Sequence, residues 1–406
     1  MNAVIVCDYA DVNGGAAKVA IESARGLAEA GHWVVFVFAV GPVSAALSHP
    51  RISLRQINVP DVWKRANRLA AAVQSVWNVK ARHALEGILG DLSPSQTVVH
   101  FHQWTKALSP AVLLAPRKRG FVAIATLHDY FIGCPNGAYY LYPKARPCTL
   151  RPLSVACVLT ACDRISYGHK AVRIVRQLAT HWALLRSGES LAFLNVSAAS
   201  ARIVERLSKG QRPRYVVRSP VSVAKEPPVA VADNSEFVFV GRLTEEKGIR
   251  ALAALARKAG IPLTIIGDGP LLAELKTLGG TVKCTGWLDG EKLTAALRNA
   301  RALVFPSRWY ETTGLVVLEV LARGVPAVVS GRTAAVDFVD HGENGLIFDP
   351  DDEAQLLECL CVLGADSTAA RMGREAYRRY WAAPLLRSAH TRMLETVYRE
   401  ILGATE

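Results

Sequence analysis

At 406 residues the chain is too long for one ordinary hydrophobic core and suits two. Half of it is hydrophobic and 20% is charged, which excludes a disordered chain, and no apolar run approaches the ~20 residues of a membrane span. Charge is unevenly shared: residues 1–220 carry 27 Lys and Arg against 11 Asp and Glu, a balance of +16, whereas 221–406 carry 21 against 24, a balance of −3.

The basic half points to an anionic partner, namely a membrane surface, a phosphorylated acceptor or nucleic acid, unless it is simply a solvated face. No RNA- or DNA-binding motif is present, so nucleic acid is not an expected partner. The N-terminus has no basic stretch ahead of its apolar residues 3–7, which read as a first strand and not as a leader. The expected location is the cytoplasm, either free or at the inner face of a membrane.

In chain order, residues 4–7 are a strand, 11–15 a turn, 16–30 a helix stopped by Gly31, and 33–40 the next strand. Strand, Gly-rich turn, helix and strand make a βαβ unit, hence a parallel sheet. Gly14-Gly15 either brings the backbone close to a phosphate at a helix start or makes a plain tight turn; the dinucleotide fingerprint GxGxxG is not satisfied. Residues 63–82, with Trp63, Lys64, Arg65, Arg68, Trp77, Lys80 and Arg82, read as one or two amphipathic helices that either lie on an anionic membrane or cover a domain. Apolar runs at 97–101, 121–127 and 191–196 are spaced as buried parallel strands.

His128 follows the run 121–127 and is a candidate ligand contact, the alternative being a structural histidine bonded to main chain. Asp129 either orients it or caps the next turn. Four of the eight cysteines, Cys134, Cys148, Cys157 and Cys162, crowd into the Pro- and Gly-rich stretch that follows. Two readings stand for them: a structural Zn²⁺ held by four thiolates, or thiols packed singly. The spacing lacks a CxxC pair.

A Pro-broken linker at 218–234 separates a second α/β half. Here strands at 237–240, 263–266, 302–305, 326–330 and 345–348 alternate with helices at 248–259, from 271, and at 315–323; a last helix, 386–402, has no assigned partner. Three motifs fall where strands end. The first, Gly241-Arg242-Leu243 to Lys247-Gly248, offers a planar guanidinium and a point charge to phosphate oxygens. Gly267-Asp268-Gly269-Pro270 follows the next strand. The third runs from Pro306-Ser307 through Glu311 and Glu319, eight apart, with a helix starting near Thr313, Gly314 and Leu315. Ligands of open parallel sheets bind beyond the carboxyl ends of the strands, and a helix start there welcomes an anion.

Taken together, Gly-Arg-Leu-x-x-x-Lys-Gly at 241–248, Gly-Asp-Gly-Pro at 267–270 and the Glu-x7-Glu block at 311–319 resemble the family 4 retaining glycosyltransferases. The resemblance implies a GT-B fold, two Rossmann-like α/β domains with parallel sheets facing across a cleft. Their expected bounds are 1–218 for the acceptor domain and 219–385 for the nucleotide-sugar domain, with 386–406 a helix of unassigned packing. It also implies transfer of a hexosyl group from a UDP- or GDP-sugar to a glycan or lipid-linked glycan, with no cofactor and no divalent metal needed for catalysis. By that resemblance Arg242 and Lys247 hold the donor diphosphate, with Gly15 approaching it. Glu319 takes the ribose; Glu311 and His128 face the reacting sugar; Thr313, Gly314 and Leu315 contact it through the backbone. The family's usual Glu-Gly-Phe-Gly is here Glu311-Thr312-Thr313-Gly314, which alters the loop touching the sugar. Two rival functions share the fold: a nucleotide-sugar 2-epimerase, and a non-catalytic partner that has lost turnover.

Overall fold

A computed structural model of the chain describes residues 1–207 and 214–403 and divides into two units. The first takes Met1–Ala138, Thr149–Pro220 and Leu386–Glu406; the second takes Tyr139–Cys148 and Val221–Leu385.

The chain opens with strand β1 (Asn2–Tyr9), helix α1 (Gly15–Glu29), β2 (Trp33–Val40) and β3 (Ile52–Gln56), then helices α2 (Arg68–Val76) and α3 (Val79–Gly90). Strands β4 (Thr97–Phe101) and β5 (Val122–Leu127) follow. A short antiparallel pair, β6 (Tyr140–Leu141) with β7 (Arg146–Pro147), belongs to the second unit. Helices α4 (Val155–Leu159) and α5 (Tyr167–Ser187), then β8 (Leu191–Asn195) and β9 (Arg214–Val216), return the chain to the first. Its sheet is parallel throughout in the order β3-β2-β1-β4-β5-β8-β9. β1 is buried from Ala3 to Tyr9 because a parallel strand is covered on both faces, which is why residues 3–7 read as an unbroken apolar run.

The second unit repeats the plan with β10 (Glu236–Val240), α6 (Ile249–Ala259), β11 (Leu263–Ile266), α7 (Leu272–Leu278), β12 (Val282–Gly286), β13 (Ala300–Phe305), α8 (Leu315–Leu321), β14 (Ala327–Ser330) and β15 (Gly345–Phe348). The order is β12-β11-β10-β13-β14-β15, again all parallel. Ile249, Leu252, Ala253 and Ala256 put the buried face of α6 on this sheet at helical spacing. The direction of chain progression reverses between β10 and β13, as it does between β1 and β4 in the first unit. Such a reversal opens a crevice at the carboxyl ends of the strands.

The last helix, α9 (Arg387–Gly403), packs on α1 in the first unit. His390 Nε2 and Ser23 Oγ are 2.8 Å apart, Arg387 donates to Glu22 at 2.6 Å, and Gly26 lets the two helices approach beside Thr391. The unit boundary falls at Pro220/Val221, two residues after the expected 218/219, and residues 139–148 sit in the second unit, not in the first.

Backbone crowding pins the loops of the second sheet. At Gly267 (φ 148°) a Cβ would overlap the Gly241 carbonyl oxygen. We expect Gly267→Ala to cost about 3 kcal/mol, from overlap added to backbone strain. Gly279→Ala, at φ 57° with open space around it, should cost only about 1 kcal/mol. Urea denaturation of the two variants checks this, and equal losses would contradict it.

Candidate functional site

The three motifs of the second unit are laced together by main chain. Gly241 N donates to Ile266 O at 3.0 Å and Leu243 N to Asp268 O at 2.8 Å, so the loops after β10 and β11 run side by side. Gly248, in the left-handed region at φ 70°, lies against the Pro306 carbonyl, where any side chain would clash. Arg308 N donates to Glu246 O at 2.9 Å, and Ala334 N to Glu311 O at 3.0 Å. The loops after β10, β11 and β13 therefore form one assembly at the carboxyl edge, where the sheet order reverses.

At its centre Lys247 Nζ is paired with Glu311 Oε1, with side chains only 13% and 12% exposed. Ser307 Oγ donates to the same carboxylate oxygen at 2.9 Å. The Lys247 ammonium also lies 5.3 Å from the Trp309 ring centroid and 6.0 Å from that of Phe305. Burial pushes the Glu311 carboxyl up, but the Lys247 charge and the hydrogen bonds from Lys247 and Ser307 outweigh it, so the group lies below the ordinary carboxylate range. At neutral pH it is an anion and an acceptor of hydrogen bonds. Arg242 is exposed, its carbonyl accepts from Thr244 N at 3.0 Å, and its side chain makes no hydrogen bond or ion pair among the described residues. Thr313 is buried, Gly314 (φ 79°) precedes α8, Leu315 is its first residue, and Glu319 sits half-buried within it.

Sequence reading missed Ser307 and Trp309, which hold the pair from below, and Tyr139, whose ring lies 6.0 Å from that of Tyr310. Ser307 stands four residues before Glu311 and Trp309 two before it, so the motif itself carried the first two. Nothing local marks the segment 139–148 as part of this unit.

In the first unit, Gly14 (φ 114°) and Gly15 open α1, and a Cβ on Gly15 would meet nothing within 4 Å. His128 follows β5. Its Nε2 lies 3.1 Å from His102 Nδ1, and the two rings stack at 5.3 Å. His100, whose ring is 4.1 Å from that of His102, contacts Thr126 Oγ1 at 2.6 Å and Tyr398 Oη at 2.5 Å. Burial drives all three histidines down, His128 to about 3, so each is neutral at physiological pH. Asp129 accepts from Phe131 N at 3.0 Å and so caps the next turn. The buried Asp8 carboxylate accepts from the backbone of Lys106, Ala107 and Leu108, tying down the loop after β4.

Among the described residues no group of three or more His, Cys, Asp or Glu side chains is placed to hold a metal ion. Cys134 Sγ donates to Asn136 Oδ1 at 3.2 Å, while Asn136 Nδ2 faces Cys162 Sγ at 3.5 Å, so an amide stands between those two sulfurs. Cys157 lies in α4, and Cys148 falls in the second unit. Burial pushes the Cys162 thiol up. Side chains of α5 tether this stretch: Gln177 donates to Ile132 O at 3.0 Å, Arg176 lies over the Phe131 ring at 4.3 Å, and Lys170 donates to the carbonyls of Cys157 and Thr160.

Residues 234–366 match the family model described as Glycosyl transferases group 1. A GDP-mannose-dependent alpha-mannosyltransferase of Corynebacterium glutamicum is 35% identical over 119 residues, 29% of each chain. A glycogen synthase of Mycobacterium tuberculosis is 34% identical over 212 residues, 48% of this chain and 50% of that one. The chain thus spans half or less of the length of these relatives. Among solved structures, sucrose-phosphate synthase from Thermosynechococcus elongatus superposes with a TM-score of 0.73 at 20% identity, covering 99% of both chains. HepE of Anabaena in complex with UDP-glucose superposes at 0.68 and 14% identity, covering 98% of this chain and 100% of that one. At these identities the likeness shows the fold, which is GT-B.

The buried His128 makes folding sensitive to acid. Its pKa in the fold, about 3, lies below the ordinary 6.5, so below pH 6.5 the unfolded chain takes up a proton that the folded one refuses. Stability should therefore fall as pH drops from 6.5 towards 3, by up to about 1 kcal/mol per pH unit from this group. Asp8 and Asp129, both raised to about 6, act in the opposite sense below that value. Denaturant titrations at several pH values should show a shallower acid loss in His128→Gln than in the unaltered protein. Parallel slopes would contradict the assignment.

Proposed function

From the match of residues 234–366 to the family model of glycosyl transferases group 1 and from the GT-B fold, we propose that the chain transfers a hexosyl group from a nucleoside-diphosphate sugar to a glycan or lipid-linked glycan, with retention at the anomeric carbon. The observation that carries this reading is the meeting of Lys247, Glu311 and Ser307, beside an unpaired Arg242, at the carboxyl edge between β10 and β13. A cationic edge of this kind suits a diphosphate, and a fixed carboxylate suits sugar hydroxyls.

In the proposed reaction the bond between the anomeric carbon and the diphosphate oxygen breaks, and the acceptor hydroxyl oxygen bonds to the same carbon from the same face. The hydroxyl proton passes to the departing phosphate oxygen. Lys247 and Arg242 offset the charge that builds on the diphosphate. Glu311, anionic and oriented by Ser307, holds the sugar; the backbone at Thr313, Gly314 and Leu315 closes around it; Glu319 takes the ribose. In the first unit, taken by itself, Gly15 leaves room for a phosphate at the start of α1, and neutral His128 can hydrogen-bond a hydroxyl. GDP and UDP are both candidate donor nucleotides, since one relative is named as GDP-mannose-dependent and one fold neighbour is a UDP-glucose complex. The proposed place of action is the cytoplasm at the inner face of a membrane; among the described residues no helix is long and apolar enough to cross one.

A thermal-shift screen of nucleoside diphosphates and their sugars tests the reading. A ligand at 100 times its Kd adds about 2.7 kcal/mol of stability, and no shift with any of them would overturn it. Arg242→Ala and Lys247→Ala should each lower turnover on the order of 100-fold. The two should differ in stability: Arg242 has no partner to abandon, whereas Lys247→Ala leaves Glu311 buried alone and should cost about 3 kcal/mol. Wild-type rates in both variants would refute the diphosphate role.

Glu319→Ala should mainly weaken nucleotide affinity, because the ribose contact persists through the reaction. Glu311→Ala should mainly lower turnover. Calorimetric titration with the bare nucleoside diphosphate separates them, and equal losses of affinity would sink the division.

A further inference from the structure

Helix α5 is inside out. Its inward side carries Lys170, Arg176, Gln177, Thr180 and Ser187, all buried. Its outward side carries Val175, Leu178, Trp182 and Leu185, spaced three and four apart and all exposed, Leu185 by 79%. That spacing draws one apolar stripe along three turns of the helix.

Neighbouring elements extend the stripe. Helix α4 exposes Val155 by 76% and Leu159 by 71%, and is held beside the start of α5 by the hydrogen bond from Tyr167 Oη to Val158 O at 2.9 Å. Helix α2 exposes Leu69 by 76% and Val73 by 61%. The chain just after α2 touches α5 through Trp77, whose ring meets that of Trp182 edge to face at 5.2 Å. Scattered exposed leucines need no explanation, whereas a periodic stripe flanked by two further apolar pairs does.

The charge on these segments says what covers them. Lys64, Arg68, Lys80, Arg151, Arg164 and Arg186 of these segments are exposed, whereas Glu86 and Asp163 are buried against Arg82 and Arg173, and Glu189 just beyond α5 is the exposed carboxylate nearest in sequence to that helix. Arg68 and Arg164 are exposed beside the apolar residues, and the exposed Arg186 lies over the Trp182 ring at 5.5 Å. A second copy of this chain docked here about a two-fold axis would set these exposed cations against their own kind, with Glu189 at the end of α5 a poor match for six of them. An anionic bilayer meets both demands, since its acyl boundary takes the leucines and its headgroups take the guanidinium groups. We propose that the α2, α4 and α5 face of the first unit is a docking surface for an anionic lipid membrane. This goes beyond the proposed transfer reaction and does not depend on it.

The test uses the full chain and sedimentation with lipid vesicles. The unaltered protein should pellet with mixed phosphatidylglycerol and phosphatidylcholine vesicles at low salt, and not with phosphatidylcholine alone. The double variant Leu178→Gln/Leu185→Gln should lower the bound fraction by at least about tenfold, and so should Arg164→Glu/Arg186→Glu. Both alter exposed side chains, so both should keep the parent's melting temperature and its shift with nucleoside diphosphates. Failure of the parent to pellet with anionic vesicles would overturn the proposal, as would undiminished pelleting of both double variants. So would a parent that is dimeric by analytical ultracentrifugation, becomes monomeric in the leucine variant and binds no vesicles. Loss of the nucleotide shift in every protein, with vesicle binding intact, would count against the transfer reaction and leave the docking surface standing.

Discussion

The main chain at residue 267 cannot approach the Gly241 carbonyl as closely as it does if that residue carries a side chain, and the arrangement of the second unit's edge follows from that contact. The Gly241 amide bonds back to Ile266 and the Leu243 amide to Asp268, so the loop after β10 can take only one path. That path carries Lys247 towards the loop after β13. Gly248 lies against the Pro306 carbonyl, which fixes how far Lys247 can sit from Glu311. The glycines thus act by absence: they remove the side chains that would hold three loops apart, and backbone hydrogen bonds do the rest.

A buried ion pair placed by such rigid loops is a preorganised device and a poor source of stability. Desolvating both partners cancels much of their attraction, so hydrophobic residues of the same volume would hold the fold about as well. What the pair gives is a cation and an anion kept in place before any ligand arrives. Ser307 and the rings of Phe305 and Trp309 limit where the ammonium can go. In a site of low dielectric such fixed charges act strongly and need no reorganisation during reaction.

The parallel sheets were legible because doubly covered strands are dominated by apolar residues, as β1, β5 and β13 are at 3–7, 122–125 and 302–305. The edge strands β3 and β12 escaped notice because Ser53, Arg55, Lys283 and Thr285 interrupt them, and only one face of such a strand is covered. The three motifs of the second unit were legible as a cluster, since strand ends of one sheet share an edge. The home of residues 139–148 was not, because β6 and β7 are two residues each and take their place from tertiary contacts such as Tyr139 with Tyr310. The cysteine-bearing stretch is tethered by side chains that composition did not point to. An irregular stretch beside β5 does need tethering, and composition suggested thiolates, but Lys170, Arg176 and Gln177 supply it from a helix that sequence reading left unassigned.

That substitution explains half of α5. A helix that must satisfy the carbonyls of Ile132, Pro135, Cys157 and Thr160 has to turn donors inward, and Gln177, Arg176 and Lys170 are those donors. It does not explain the other half. Nothing about an inward polar stripe requires an outward apolar one; lysines and glutamates would be neutral to the fold there and better for solubility. The outward positions hold Val175, Leu178, Trp182 and Leu185 instead, with no carboxylate from Arg164 to Gly188. Two independent features therefore coincide on one helix, an apolar stripe and the exclusion of negative charge. Folding of the first unit calls for neither, so both are referred to whatever meets that face from outside.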